Sequence, residues 1–78
     1  MKPFDRVTFA PNMMGGRACI RGLRITVSLV VNLVANGMST GEILEEYPDL
    51  EAEDIKQALG YAAALANEEL HLFAPSAA

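Results

Sequence analysis

Arg17, Arg21 and Arg24 crowd into one short stretch near the start of a 78-residue chain. A guanidinium offers a planar fork of donors that grips phosphate or carboxylate and can reach a base edge. The same fork suits the acids of the chain itself, so the three side chains either face a partner or tie the domain, or two copies of it, together. The charge distribution leaves both readings open. Residues 1–24 carry five bases against one acid, a balance of +4, whereas residues 25–78 carry nine acids against Lys56, a balance of -8. The overall charge of -4 argues against indiscriminate attraction to nucleic acid. Such a split places a basic ribbon on one side of a compact domain and an acidic helical surface on the other.

The acids Glu42, Glu45, Glu46, Asp49, Glu51, Glu53 and Asp54 superficially resemble a carboxylate-rich catalytic cluster. Many of them fall in first helical turns or on solvent faces, where they relieve unpaired N–H groups and complement the helix dipole. Hydrolytic chemistry needs a nucleophile or metal beside a tuned base, and no Ser-His or Cys-His combination suggests one. Cys19 and His71 each stand alone, without the spacing of a metal-ligand set. The expectation is therefore a non-enzyme with no catalytic residue, metal or cofactor. Gly15-Gly16-Arg17 lacks the spacing and the Lys-Ser/Thr of a nucleotide-binding loop and reads as a tight bend.

The elements that must position these residues begin with a short strand, in which Val7 and Phe9 alternate with Thr8. Ala18-Cys19-Ile20 and Leu23-Arg24-Ile25 flank Arg21-Gly22, a two-residue connection that suits either a hairpin or two short extended segments. Residues 27–36 place valines at helical spacing and end in Asn36-Gly37, a left-handed stop. Ser39-Thr40-Gly41-Glu42 is a capping box, with Met38 and Ile43 as its hydrophobic staple. Glu51 and Asp54 repeat the pattern between Leu50 and Ile55, and Pro48 forces a bend between the two helices. Two capped helices across a turn this short are the signature of a helix-turn-helix. On the second of them Lys56 and Gln57 are the side chains suited to DNA, whereas Glu51, Glu53 and Asp54 would be repelled by phosphate.

The second helix, from residue 51 to about 70, carries an apolar stripe that includes Leu59, Ala62, Ala63, Ala66 and Leu70. The stripe is longer than two short helices can cover, which predicts a homodimer built on its C-terminal half. The expected architecture is mainly α: a three-helix helix-turn-helix bundle, homeodomain-like or winged-helix-like, with a short N-terminal β segment. Residues 1–70 form one domain, with the β segment in 1–26, the bundle in 27–70 and a flexible tail over 71–78. No stretch spans a bilayer, no apolar signal region opens the chain, and one cysteine permits no internal disulfide, so the cytoplasm is the expected compartment.

The run Gly16-Arg17-Ala18-Cys19-Ile20-Arg21-Gly22-Leu23-Arg24-Ile25-Thr26-Val27 is followed by Leu33-Val34-Ala35-Asn36-Gly37-Met38-Ser39, by Ile43-Leu44-Glu45-Glu46-Tyr47-Pro48-Asp49-Leu50 and by Asp54-Ile55-Lys56-Gln57-Ala58-Leu59. Over roughly residues 4–66 this closely resembles the "domain of unknown function 433" family, small bacterial or archaeal proteins described as VapB-like antitoxins. The resemblance implies a DNA-binding type of fold and, for some members, a neighbouring PIN-like ribonuclease toxin. Departures from the family pattern are Ala18 in place of Pro, Leu23 in place of Thr and Glu51 in place of a Thr cap. The functional expectation is an antitoxin that neutralises such a toxin and binds operator DNA, with Arg17, Arg21 and Arg24 as its main contacts and Lys56 and Gln57 as further ones. The alternatives are a stand-alone DNA-binding regulator, or a structural dimer or adaptor that binds no DNA.

Overall fold

A computed structural model of the chain describes residues 4–73, with side chains through Asn67. Three helices stand behind a two-stranded sheet. Strands β1 (Val7–Phe9) and β2 (Ala18–Ile20) pair antiparallel, with Val7 opposite Ile20, Thr8 opposite Cys19 and Phe9 opposite Ala18. Residues 23–25 do not form a third strand. They fold back beside β2 through a hydrogen bond from the Ile20 N–H to the Ile25 carbonyl (2.9 Å) and a single bridge between Cys19 and Thr26. Arg21 (φ 47°) and Gly22 (φ 73°) are both left-handed, and the Leu23 N–H closes the turn on the Ile20 carbonyl at 2.7 Å. That geometry is the primed two-residue turn whose twist matches an antiparallel pair. The Thr8 hydroxyl accepts from the Gly22 N–H at 2.8 Å, so β1 fixes the same turn from the side.

Helix α1 (Val27–Ala35) starts at Thr26, whose hydroxyl accepts from the Leu29 N–H at 3.0 Å. The spacing of the valines had not marked Thr26 as a cap. Gly37, at φ 92°, stops the helix as Asn36-Gly37 foretold. Helix α2 (Thr40–Glu46) opens with both halves of the Ser39/Glu42 capping box in place. At its end Pro48 holds Tyr47 out of the helical region (φ -126°, ψ 76°), and the Leu50 N–H turns back onto the Tyr47 carbonyl. Helix α3 (Ala52–Phe73) follows after five residues, 47–51, and runs three residues past the boundary read from the sequence. The remainder of the expected 71–78 tail, residues 74–78, lies outside the described residues.

The core joins Ile20 from the sheet, Val27 and Val30 from α1, Ile43 from α2, Leu50 from the turn, and Ile55 and Ala58 from α3. Phe4 lies over Gly60, where an added Cβ would meet the ring at 3.1 Å, so a helix-weakening glycine makes room for an aromatic. The Phe4 ring in turn packs edge-on to Tyr61, with centroids 5.7 Å apart. Because both short helices depend on their first turn, Thr26→Ala and Ser39→Ala are each expected to cost about 1 kcal/mol in urea unfolding, with the slope of the transition unchanged.

Candidate functional site

Asp54 is the point at which three remote segments meet. It lies at the third position of α3, on the side that Ile55 and Ala58 turn toward the core, and it is fully buried. One carboxylate oxygen accepts from the Arg6 guanidinium (2.9 Å) and from Arg21 Nε (3.0 Å). The other accepts from Arg21 Nη2 (2.9 Å) and from the Glu51 N–H (2.7 Å). The last of these is one half of a capping box. Its other half is missing, because the Glu51 side chain reaches Arg6 instead, at 2.7 Å. Arg21 also donates from Nη2 to the Asp49 carbonyl at 2.7 Å, fastening the α2–α3 turn.

Burial pushes the Asp54 carboxyl up, yet the bonds from Arg21, Arg6 and the Glu51 N–H outweigh that penalty and lower its pKa from the ordinary 3.8 to about 2. The Arg6 guanidinium is raised by its hydrogen bonds to Glu51 and Asp54, and that of Arg21 by its hydrogen bond to Asp54. Gln57 extends the network: its carbonyl accepts from the Arg6 N–H (2.9 Å) and its amide donates to Asp5 (3.0 Å) and Glu53 (3.4 Å). Among the described residues no buried side-chain polar atom lacks a partner.

This arrangement corrects the picture of three equivalent, outward arginines. Arg21 is folded back on Asp54, and Gln57 is committed to the chain's own N-terminal segment, so neither is presented freely to a partner. Arg17, Arg24 and Lys56 are exposed, and the ion pairs among the described residues belong to Arg6 and Arg21. Asp54 keeps its expected place in the first turn of α3, accepting from the Glu51 N–H, and is in addition buried. The clue lay in its position one turn before Ala58, on the apolar stripe. Arg6, counted only as a charge in the sequence, gave no signal of its role, because its partners are 45 and 48 residues away.

Of the residues expected at a dimer seam, Leu59 is half-buried and packs on the core, Ala62 lines a groove, and Ala63 and Ala66 are exposed. The Leu70 side chain lies outside the described residues. The groove has a volume of about 520 Å³ and opens between the sheet, α1 and the middle of α3, with Arg17 in its lining.

The family model described as "Protein of unknown function (DUF433)" matches residues 7–62, which include both strands, α1, α2, the whole Asp54 network except Asp5 and Arg6, and the first half of α3. The chain belongs to the DUF433 family. It is similar to an uncharacterized protein, y4eO, of Sinorhizobium fredii, 43% identical over 58 residues that make up 74% of this chain and 26% of that one. It also resembles the crystal structure of a DUF433 member from Anabaena variabilis, with a TM-score of 0.75 and 33% identity over 82% of this chain and 63% of that chain. The chain thus spans about a quarter of the y4eO protein and under two thirds of the crystallised one.

The buried carboxylate makes two testable statements about this DUF433 domain. Asp54→Ala leaves two guanidiniums and the Glu51 N–H without their acceptor, and is expected to cost about 3 kcal/mol or more in chemical denaturation, against less than about 1 kcal/mol for the exposed Glu51→Gln. Because the folded pKa of Asp54 lies below its ordinary value, its contribution is complete above about pH 5 and is lost as pH falls through 3.8 to about 2. Unfolding midpoints measured across that window should drop more steeply for the natural protein than for Asp54→Asn.

Proposed function

We propose that this domain is an antitoxin of a type II toxin–antitoxin pair, which silences a PIN-like ribonuclease by direct protein contact. The observation that carries this reading is the division among the arginines: Arg6 and Arg21 pair with Asp54, while exposed Arg17 and Arg24 take part in no described ion pair. A metal-dependent nuclease gathers carboxylates around its ions, and a guanidinium inserted there displaces the metal or takes the place of a substrate phosphate. Arg24, on the short segment between the left-handed turn and α1, is the side chain assigned that task.

Operator binding is the second reading. It is favoured by the capped helix pair α2 and α3 across a five-residue turn, which supports a helix-turn-helix reading. Against it, the exposed start of α3 presents Glu51 and Glu53, and Gln57 is already bonded. Lys56 is the one base there. DNA affinity, where measured by gel shift at several salt concentrations, should therefore be weak and steeply salt-dependent.

Arg24→Glu, which touches no described ion pair, should leave the unfolding midpoint in place. It should abolish growth rescue on co-expression with the nuclease from the adjacent gene and weaken that complex by about 30-fold or more. A folded Arg24→Glu protein that still protects the cell would remove the arginine-insertion mechanism.

A further inference from the structure

Phe9 is 60% exposed and Leu65 47% exposed, while the core side chains Ile20, Val30 and Ile43 are wholly buried. Both exposed side chains border the groove, together with Val27 and Val31 of α1 and Tyr61 and Ala62 of α3. The Phe9 and Tyr61 rings brace each other at a centroid distance of 6.2 Å. Its polar lining is Arg17, Thr26, Ser28 and Asn32, with no acid, and the Thr26 hydroxyl is already used as the cap of α1.

We propose that this groove seats an apolar helix of the partner protein, and that Arg17 pairs with a carboxylate flanking that helix's anchor residues. The proposal rests on the antitoxin reading and gives it a docking surface. The groove, about 520 Å³ and open to solvent along one side, has room for more than one apolar side chain. Such a groove suits a helix that presents apolar anchors along one face. Charge complementarity supplies the second argument. Arg17 is exposed on the groove's lining, no described acid pairs with it, and an apolar wall beside a guanidinium favours a partner that brings both an apolar stripe and a carboxylate.

A second copy of the chain fits less well. The large exposed apolar side chains among the described residues are Phe9, Met14 and Leu65, and two of these are the groove's own walls. Among the described side chains only Met14 is left for a copy to insert. Duplex DNA would leave the apolar floor without any contact that suits it.

The test titrates the full chain with a nuclease-inactive form of the PIN-like ribonuclease that the antitoxin reading requires, by calorimetry and by hydrogen exchange. Leu65→Glu and Arg17→Glu change exposed side chains outside the Asp54 network, and Glu46→Lys on α2 serves as the control away from the groove. The expected result is binding weakened at least about 30-fold by each of the first two and unchanged by the third, with toxin-induced protection over residues 26–32 and 61–65. Undiminished toxin binding by both Leu65→Glu and Arg17→Glu overturns the groove while leaving the antitoxin reading standing. The same holds if Leu65→Glu abolishes self-association and spares toxin binding, which would make the groove a seam between copies. Absence of any binding by the unaltered chain overturns both readings together.

Discussion

The Asp54 carboxylate organises this domain. With four hydrogen bonds it exhausts its acceptor geometry, and it draws Arg6, the Arg21 turn and the first turn of α3 to one buried point. Strands of three residues have little stability of their own, and a core of seven clustered side chains leaves a small margin. Buried ion pairs are weak evidence of net stability, because desolvation offsets most of their attraction. Their consequence here is positional. Arg21 occupies a left-handed conformation that costs an L-residue roughly 1–2 kcal/mol. A bidentate pair with Asp54 and a bond to the Asp49 carbonyl hold it there, so one side chain links the sheet's turn to the turn between α2 and α3.

That clamp sorts the basic ribbon into two kinds of arginine. Arg6 and Arg21, with a buried carboxylate in reach, are structural, and Arg17 and Arg24, on either side of Arg21, take part in no described ion pair. The long helix is divided in the same way. Its first turn is sealed by Asp54 and Gln57 against the N-terminal segment, whereas its middle, around Ala62 and Leu65, forms one wall of an apolar groove. The start of α3 builds the fold, and its middle offers a surface.

Local rules made much of this legible in the sequence. The capping box at Ser39, the stop at Asn36-Gly37, the bend at Pro48 and the strand Val7–Phe9 depend on neighbours within a few residues, and each lies where its local chemistry places it. The pairing of β2 with β1, in place of a hairpin with residues 23–25, depends instead on a partner strand eleven residues back. The clamp was least legible. A carboxylate at the third helical position ordinarily serves its own N-terminus, and Asp54 does so, while its remaining lone pairs are filled from far along the chain. Sequence spacing could show three arginines close together, but not which of them had an acid of its own.

This division bears on how a net acidic chain recognises its partner. A nucleic-acid reader concentrates cations on the element that enters the groove of the duplex, whereas here the exposed start of α3 is acidic and its one bonding amide is already saturated. The two arginines outside the described ion pairs, Arg17 and Arg24, sit instead on the connections around β2, and Arg17 is in the lining of the apolar groove. Apolar surface adjoining a guanidinium is the composition of a protein interface, in which a desolvated anchor supplies affinity and a charge at the rim supplies orientation. The clamp that engages Arg21 leaves Arg17 and Arg24 as the arginines outside any described ion pair, and it is on these two that the proposed protein contact rests.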